Sequence, residues 1–112
     1  MPDTDLHRDL ERLREAYHRK LPGKLAQLDA LLRRAREVHE KGPLEAARHL
    51  THMLKGTSGS YGFDAISAEL RRIEERLDRL LGGTSADRTA VWNEIEHALS
   101  QARERLGAPT RG

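Results

Sequence analysis

The chain has 112 residues, a formal charge of +2, a pI near 9.3, no cysteine and only four aromatic residues. That length allows one domain with a modest core, and the missing thiols exclude both a disulfide framework and a thiolate metal site. Charged residues reach 34%, against about 25% in an average protein. Basic and acidic residues are interleaved, which argues against the concentrated stripe of a nucleic-acid binder and suits a preference for acidic protein surfaces.

The N-terminus MPDTDLHRDLERL is too charged for a signal peptide, and no apolar run approaches membrane-spanning length. The expectation is a cytoplasmic protein without membrane association. Leu6, Leu10, Leu13 and Tyr17 then predict a short amphipathic lead-in helix. Pro22 fits the first turn of a second helix, whose stripe is Leu21, Leu25, Leu28, Leu32 and Ala35. A turn at Glu40-Lys41-Gly42 ends it, and Pro43 opens a third segment running to Tyr61.

The fourth segment carries the cleanest repeat, with Phe63, Ile66, Leu70, Ile73, Leu77 and Leu80 spaced alternately three and four apart. Gly82-Gly83 stop it. Thr84 with Asp87 resembles a capping box for a fifth helix, which buries Trp92, Ile95, Leu99, Ala102 and Leu106. No stretch alternates with period two. The fold expected is all-α, an antiparallel up-down-up-down four-helix bundle with a short extra N-terminal helix. Residues 1–106 form this single domain, and 107–112 a disordered tail.

The segment HMLKGTSGSYG, residues 52–62, breaks the pattern by placing three glycines where its surroundings read as helix. Each glycine inside a helix costs about 1 kcal/mol relative to alanine, so Gly56 and Gly59 need a reason. Gly62 falls where a terminating glycine belongs.

At about 100° per residue from Leu50, the apolar residues Leu50, Leu54, Tyr61 and Ala47 occupy roughly 0–60°, with Thr57 and Ala46 just beyond. His52 falls near 200°, with Glu45, Arg48 and Gly59 within about 40° and Lys55, Gly56 and His49 within about 60°. An exposed imidazole, a nearby ammonium and bare backbone suit a nucleophile that carries an anionic group and presents it to another large molecule. Glu45, Arg48, His49, Gly56 and Gly59 would line the face that meets this partner. Gly62 and the other histidines, His7, His18, His39 and His97, read as structural or solvated. A metal site made by His49 and His52 with His39 or Glu45 lacks a third ligand at convincing spacing.

These residues resemble the His-x-x-Lys-Gly signature of histidine-containing phosphotransfer domains, here His52, Lys55 and Gly56, followed by Ser58 and Gly62. Leu21-Pro22, the Gly42-Pro43 entry and the apolar repeat after Gly62 extend the resemblance over roughly residues 10–105. It implies that His52 accepts a phosphoryl group from the phospho-aspartate of a receiver domain, or from a hybrid kinase, and passes it reversibly to another receiver. Lys55 would stabilise the phosphoryl charge. Glu74, at the edge of its stripe, would accept from Nδ1–H of His52, and Arg71 could add a second cation.

Partners implied are response-regulator receiver domains and a sensor or hybrid histidine kinase, met by a monomer. No cofactor is expected in this chain, and Mg²⁺ would belong to the receiver. No Gly-rich phosphate loop, Walker lysine or catalytic Asp–Asn pair is present, so the chain is not a kinase by itself. The alternative is a non-catalytic helical docking module that binds a signalling partner through the Gly-rich face.

Overall fold

The computed structural model describes residues 2–38, 40–83 and 87–107, and among these every regular element is helical. Four helices follow in order: α1 (Pro2–Glu37), α2 (Lys41–Ser60), α3 (Asp64–Gly82) and α4 (Arg88–Gly107). The separate lead-in helix expected from the sequence is absent. Its residues are the first turns of α1, which runs 36 residues without a break through Pro22.

The reason lies in which face Pro22 occupies. Proline inside a helix loses one backbone hydrogen bond and crowds the preceding turn, at a cost of about 3 kcal/mol. Yet Pro22 and Gly23 both face solvent, and the stripe Tyr17, Leu21, Leu25, Leu28, Leu32 and Ala35 stays buried on the other side. Burying a single leucine contributes about 1.5–3 kcal/mol, so the continuous stripe outweighs the proline. Below Tyr17 the stripe loses its cover. Leu6, Leu10 and Leu13 are 60%, 52% and 52% exposed. At 1.5 Å per residue α1 is about 54 Å long, whereas the other helices reach only about 30 Å. The 57 × 25 × 21 Å extents of the molecule reflect that projecting arm.

Ion pairs and hydrogen bonds record the helix directions. Between α2 and α3 the pairs are Arg48 with Asp78 and His52 with Glu74, one helix ascending as the other descends. Between α1 and α4 they are Asp29 with Arg103 and Arg36 with Glu96. Both pairs of helices are therefore antiparallel. The core beneath them is largely the one expected from α3 and α4: Ile66, Leu70, Ile73, Leu77 and Leu80 are buried, as are Trp92, Ile95, Leu99 and Ala102, while Phe63 and Leu106 are only partly buried.

The connection between α2 and α3 is tight. Gly62 adopts φ +83°, and its N–H donates to Gly59 O while Phe63 N–H reaches back to Ser58 O, the paired bonds of a Schellman ending. Phe63 then packs under α1. Tyr17 stacks on Tyr61 at 5.0 Å between ring centroids, and His18, expected to be solvated, stacks on Phe63 at 5.5 Å. At the start of α4, Asp87 is itself the cap, its Oδ1 accepting from Ala90 N–H at 3.1 Å. Thr84 lies outside the described residues, as do His39 and the expected tail from residue 108 onward; Gly107 is still helical.

Candidate functional site

The buried residues of α2 are Leu44, Ala47, Thr51, Leu54 and Ser58. Measured from Leu50, their centre falls near 80°, about 50° from the stripe expected, and Leu50 and Tyr61 are only partly buried. Two hydroxyl residues caused the difference. Thr51 turns its Oγ1 onto Ala47 O at 2.7 Å, and Ser58 Oγ pairs with the Tyr17 hydroxyl at 3.1 Å. So satisfied, both sit fully buried in an otherwise apolar interior.

This rotation decides where His52 stands. It lies about 120° from the centre of the core instead of opposite it, on the flank that overlooks α3. The imidazole is 60% exposed, yet Nδ1 donates to Glu74 Oε2 at 2.6 Å. Nε2, the other ring nitrogen, is left as the outward atom. Glu74 is 7% exposed, one of only a few buried polar side chains. Lys55 donates from Nζ to the other carboxylate oxygen, Oε1, at 2.6 Å. Burial alone would push the Glu74 carboxyl up, but the hydrogen bonds from Lys55 and then His52 outweigh it and hold the group below its ordinary value. The carboxylate is thus ionised and accepts at both oxygens.

Helical spacing alone sets the Lys55 ammonium beside the ring, within reach of an attached group. In the structure that ammonium is instead engaged with Glu74, and its side chain is 24% exposed. Arg71, proposed as a second cation, is exposed and enters none of the hydrogen bonds or ion pairs of this cluster. The second cation present is Arg48. Its Nη2 lies 3.9 Å from Glu74 Oε2, and its Nε bonds Asp78. The signal was available in the sequence: Arg48 stands four residues before His52 and Asp78 four after Glu74. In an antiparallel hairpin that pairs His52 with Glu74, those two must also meet.

The two glycines separate. A Cβ on Gly56 would meet nothing within 4 Å, so its surface is open space. A Cβ on Gly59 would touch Ser67 Oγ at 3.4 Å. Ser67 also donates from that oxygen to Lys55 O at 2.9 Å. Gly59 is exposed like Gly56, but it lies on the flank next to Ser67 of α3, where a Cβ would make an ordinary contact. A shallow hollow beside the imidazole is lined by His52, Met53, Gly56, Thr57, Ser60 and Tyr61. Glu45 and His49 are exposed on the outer side of α2.

Among the described residues no three histidine or carboxylate side chains gather as a metal ion would require. Among them, too, no helix is long and apolar enough to cross a membrane. What the cluster can do chemically is narrower: it holds one imidazole by Nδ1 and turns Nε2 outward over an unobstructed face. Comparison with curated proteins and with solved structures yields no match. The Hpt domain model, in contrast, matches residues 4–105, nearly the whole of the chain. The protein therefore belongs to the Hpt domain family, the histidine-phosphotransfer modules of two-component phosphorelays.

Proposed function

We propose that His52 is the phosphoacceptor, taking a phosphoryl group from the phospho-aspartate of a receiver domain, or from a hybrid kinase, and returning it reversibly to another receiver. The observation that carries this reading is an exposed imidazole, beside the hollow at Gly56, whose Nδ1 is committed to a buried carboxylate and whose Nε2 is the ring nitrogen left over. Nε2 attacks phosphorus in line with the P–O bond to the aspartate. The N–P bond forms as that P–O bond breaks, and the electron pair leaves on the aspartate carboxylate.

As the ring gives up its lone pair it gains positive charge, and Glu74 compensates through Nδ1–H. Lys55 supplies positive charge to the phosphoryl oxygens. Gly56 lets the receiver's aspartate approach within bonding distance. The receiver brings the Mg²⁺ and its carboxylate cluster. Charge and alignment are what such a loose transition state asks for, and this chain supplies part of each.

The decisive experiment incubates the protein with a phosphorylated receiver domain and reads intact mass. One acid-labile, alkali-stable phosphoryl group is expected, lost entirely in His52→Gln. A label that survives in His52→Gln would reject the assignment. Stable receiver binding with no label on the wild-type protein would favour the docking module.

A further inference from the structure

Lys55 has two claims on it. Its ammonium is bonded to Glu74 Oε1, yet the reading proposed for this site, on which this inference rests, places it on the phosphoryl oxygens. If it moves, a carboxylate that is 7% exposed loses its nearest cation. Leaving a buried charge without its partner is costly, and the carboxylate would respond by taking up a proton or turning out toward water. Either response would release Nδ1–H when the phosphorylated ring most needs its acceptor.

The structure holds a replacement. Arg48 Nη2 stands 3.9 Å from Glu74 Oε2, outside hydrogen-bond range but within reach of a small side-chain adjustment. Its Nε is tied to Asp78, one turn further along α3, so the guanidinium is aimed at Glu74 and not free to wander. A planar guanidinium can serve two carboxylates from separate N–H groups. We infer that Arg48, tethered by Asp78, is a positioning residue that closes onto Glu74 as Lys55 leaves for the phosphoryl group, keeping Glu74 on Nδ1–H of phosphorylated His52. The two cations exchange places around one carboxylate. The guanidinium does not touch the transferred group.

The Nδ1–H proton of His52, followed by NMR in resting and phosphorylated protein, tests this directly. In Arg48→Ala the resonance should persist at rest, where Lys55 still holds Glu74. It should broaden or vanish once His52 is phosphorylated. Transfer to a receiver should fall about tenfold at saturating receiver, with the half-saturating concentration little changed. Arg48→Lys should recover part of the rate, and Asp78→Asn, which keeps the guanidinium but cuts its tether, should fall between. A rise in half-saturating concentration alone would make Arg48 a docking contact and overturn the inference. So would an unchanged Nδ1–H signal in phosphorylated Arg48→Ala. If Arg48→Ala does not fold, Asp78→Asn carries the same two measurements. Absence of label on the wild-type protein would instead reject the phosphoryl reading itself.

Discussion

Two of the helix pairs in this bundle, α1 with α4 and α2 with α3, join basic side chains to carboxylates across the helices, to very different ends. Between α1 and α4, Arg36 meets Glu96 in the open, and the exposed Arg103 meets a half-buried Asp29. Water screens such contacts, and holding two long side chains together costs entropy, so each is worth at most about 1 kcal/mol. Between α2 and α3, Arg48, His52 and Lys55 converge on Glu74, which is buried. There the carboxylate cannot fall back on solvent, and its partners decide its ionisation and its orientation. Burial, and not the identity of the charges, turns an ion pair into a device.

The sharpest way to break this comparison is to spoil the α2 face without touching its charges. Gly56→Gln should leave the domain folded, with thermal stability unchanged or higher by up to about 1 kcal/mol, because glutamine favours helix over glycine. Transfer should nevertheless be blocked, since the new side chain fills the open space a receiver must enter. Circular dichroism and a transfer assay on the same preparation check both halves. Wild-type transfer in this variant would refute the steric account.

Lys55→Ala should come next, slowing transfer by roughly tenfold to a hundredfold. The site is open until a partner docks, which places the loss at the low end for one transition-state cation. Lys55→Arg, assayed at saturating receiver, should recover part of the rate if charge is what matters. Equal rates for alanine, arginine and wild type would make Lys55 a structural partner of Glu74 alone.

Acid should separate the two regions as well. The Glu74 carboxyl is held below its ordinary value, so its ionised form contributes stability that is full above the ordinary carboxylate range. That contribution is lost as pH falls through the lowered value. Glu74→Gln should therefore cost about 1–3 kcal/mol at neutral pH, through charged donors left with a weaker acceptor, and should flatten this acid limb. Chemical denaturation at several pH values reads both. An identical pH profile in the variant would show that Glu74 is not linked to folding. Smallest of all, Glu96→Ala should change stability by no more than about 0.5 kcal/mol, diminishing with salt. A larger loss would erase the contrast between the two pairs of helices.

Much of this was readable in the chain. The stripes of α3 and α4 have a clean period of three and four with strong apolar residues, and they are the stripes that the fold buries. The sequence divides α1 in two because Pro22 reads as a first-turn residue of a new helix, whereas its solvent-facing position lets the stripe run past it. The apolar pattern of α2 points about 50° away from its buried face because Thr51 and Ser58 count as polar in any hydrophobicity pattern. Both become core residues only once their hydroxyls find Ala47 O and Tyr17, partners that a pattern of apolar residues does not register.

The sequence by itself determined four amphipathic stripes, the glycine that ends α2 and the bare step at Gly56 beside His52. Each is a property of one helix, set by periodicity and backbone freedom, and each is legible along a single strand of text. Only the tertiary structure decided that Lys55 rests on Glu74, that Arg48 and not Arg71 lies near that carboxylate, and that Gly59 faces Ser67. Those contacts depend on how far one helix is rotated against the next. A turn of about 50° moves a side chain from the solvent face to the neighbouring helix, and that angle is fixed by packing across the whole core.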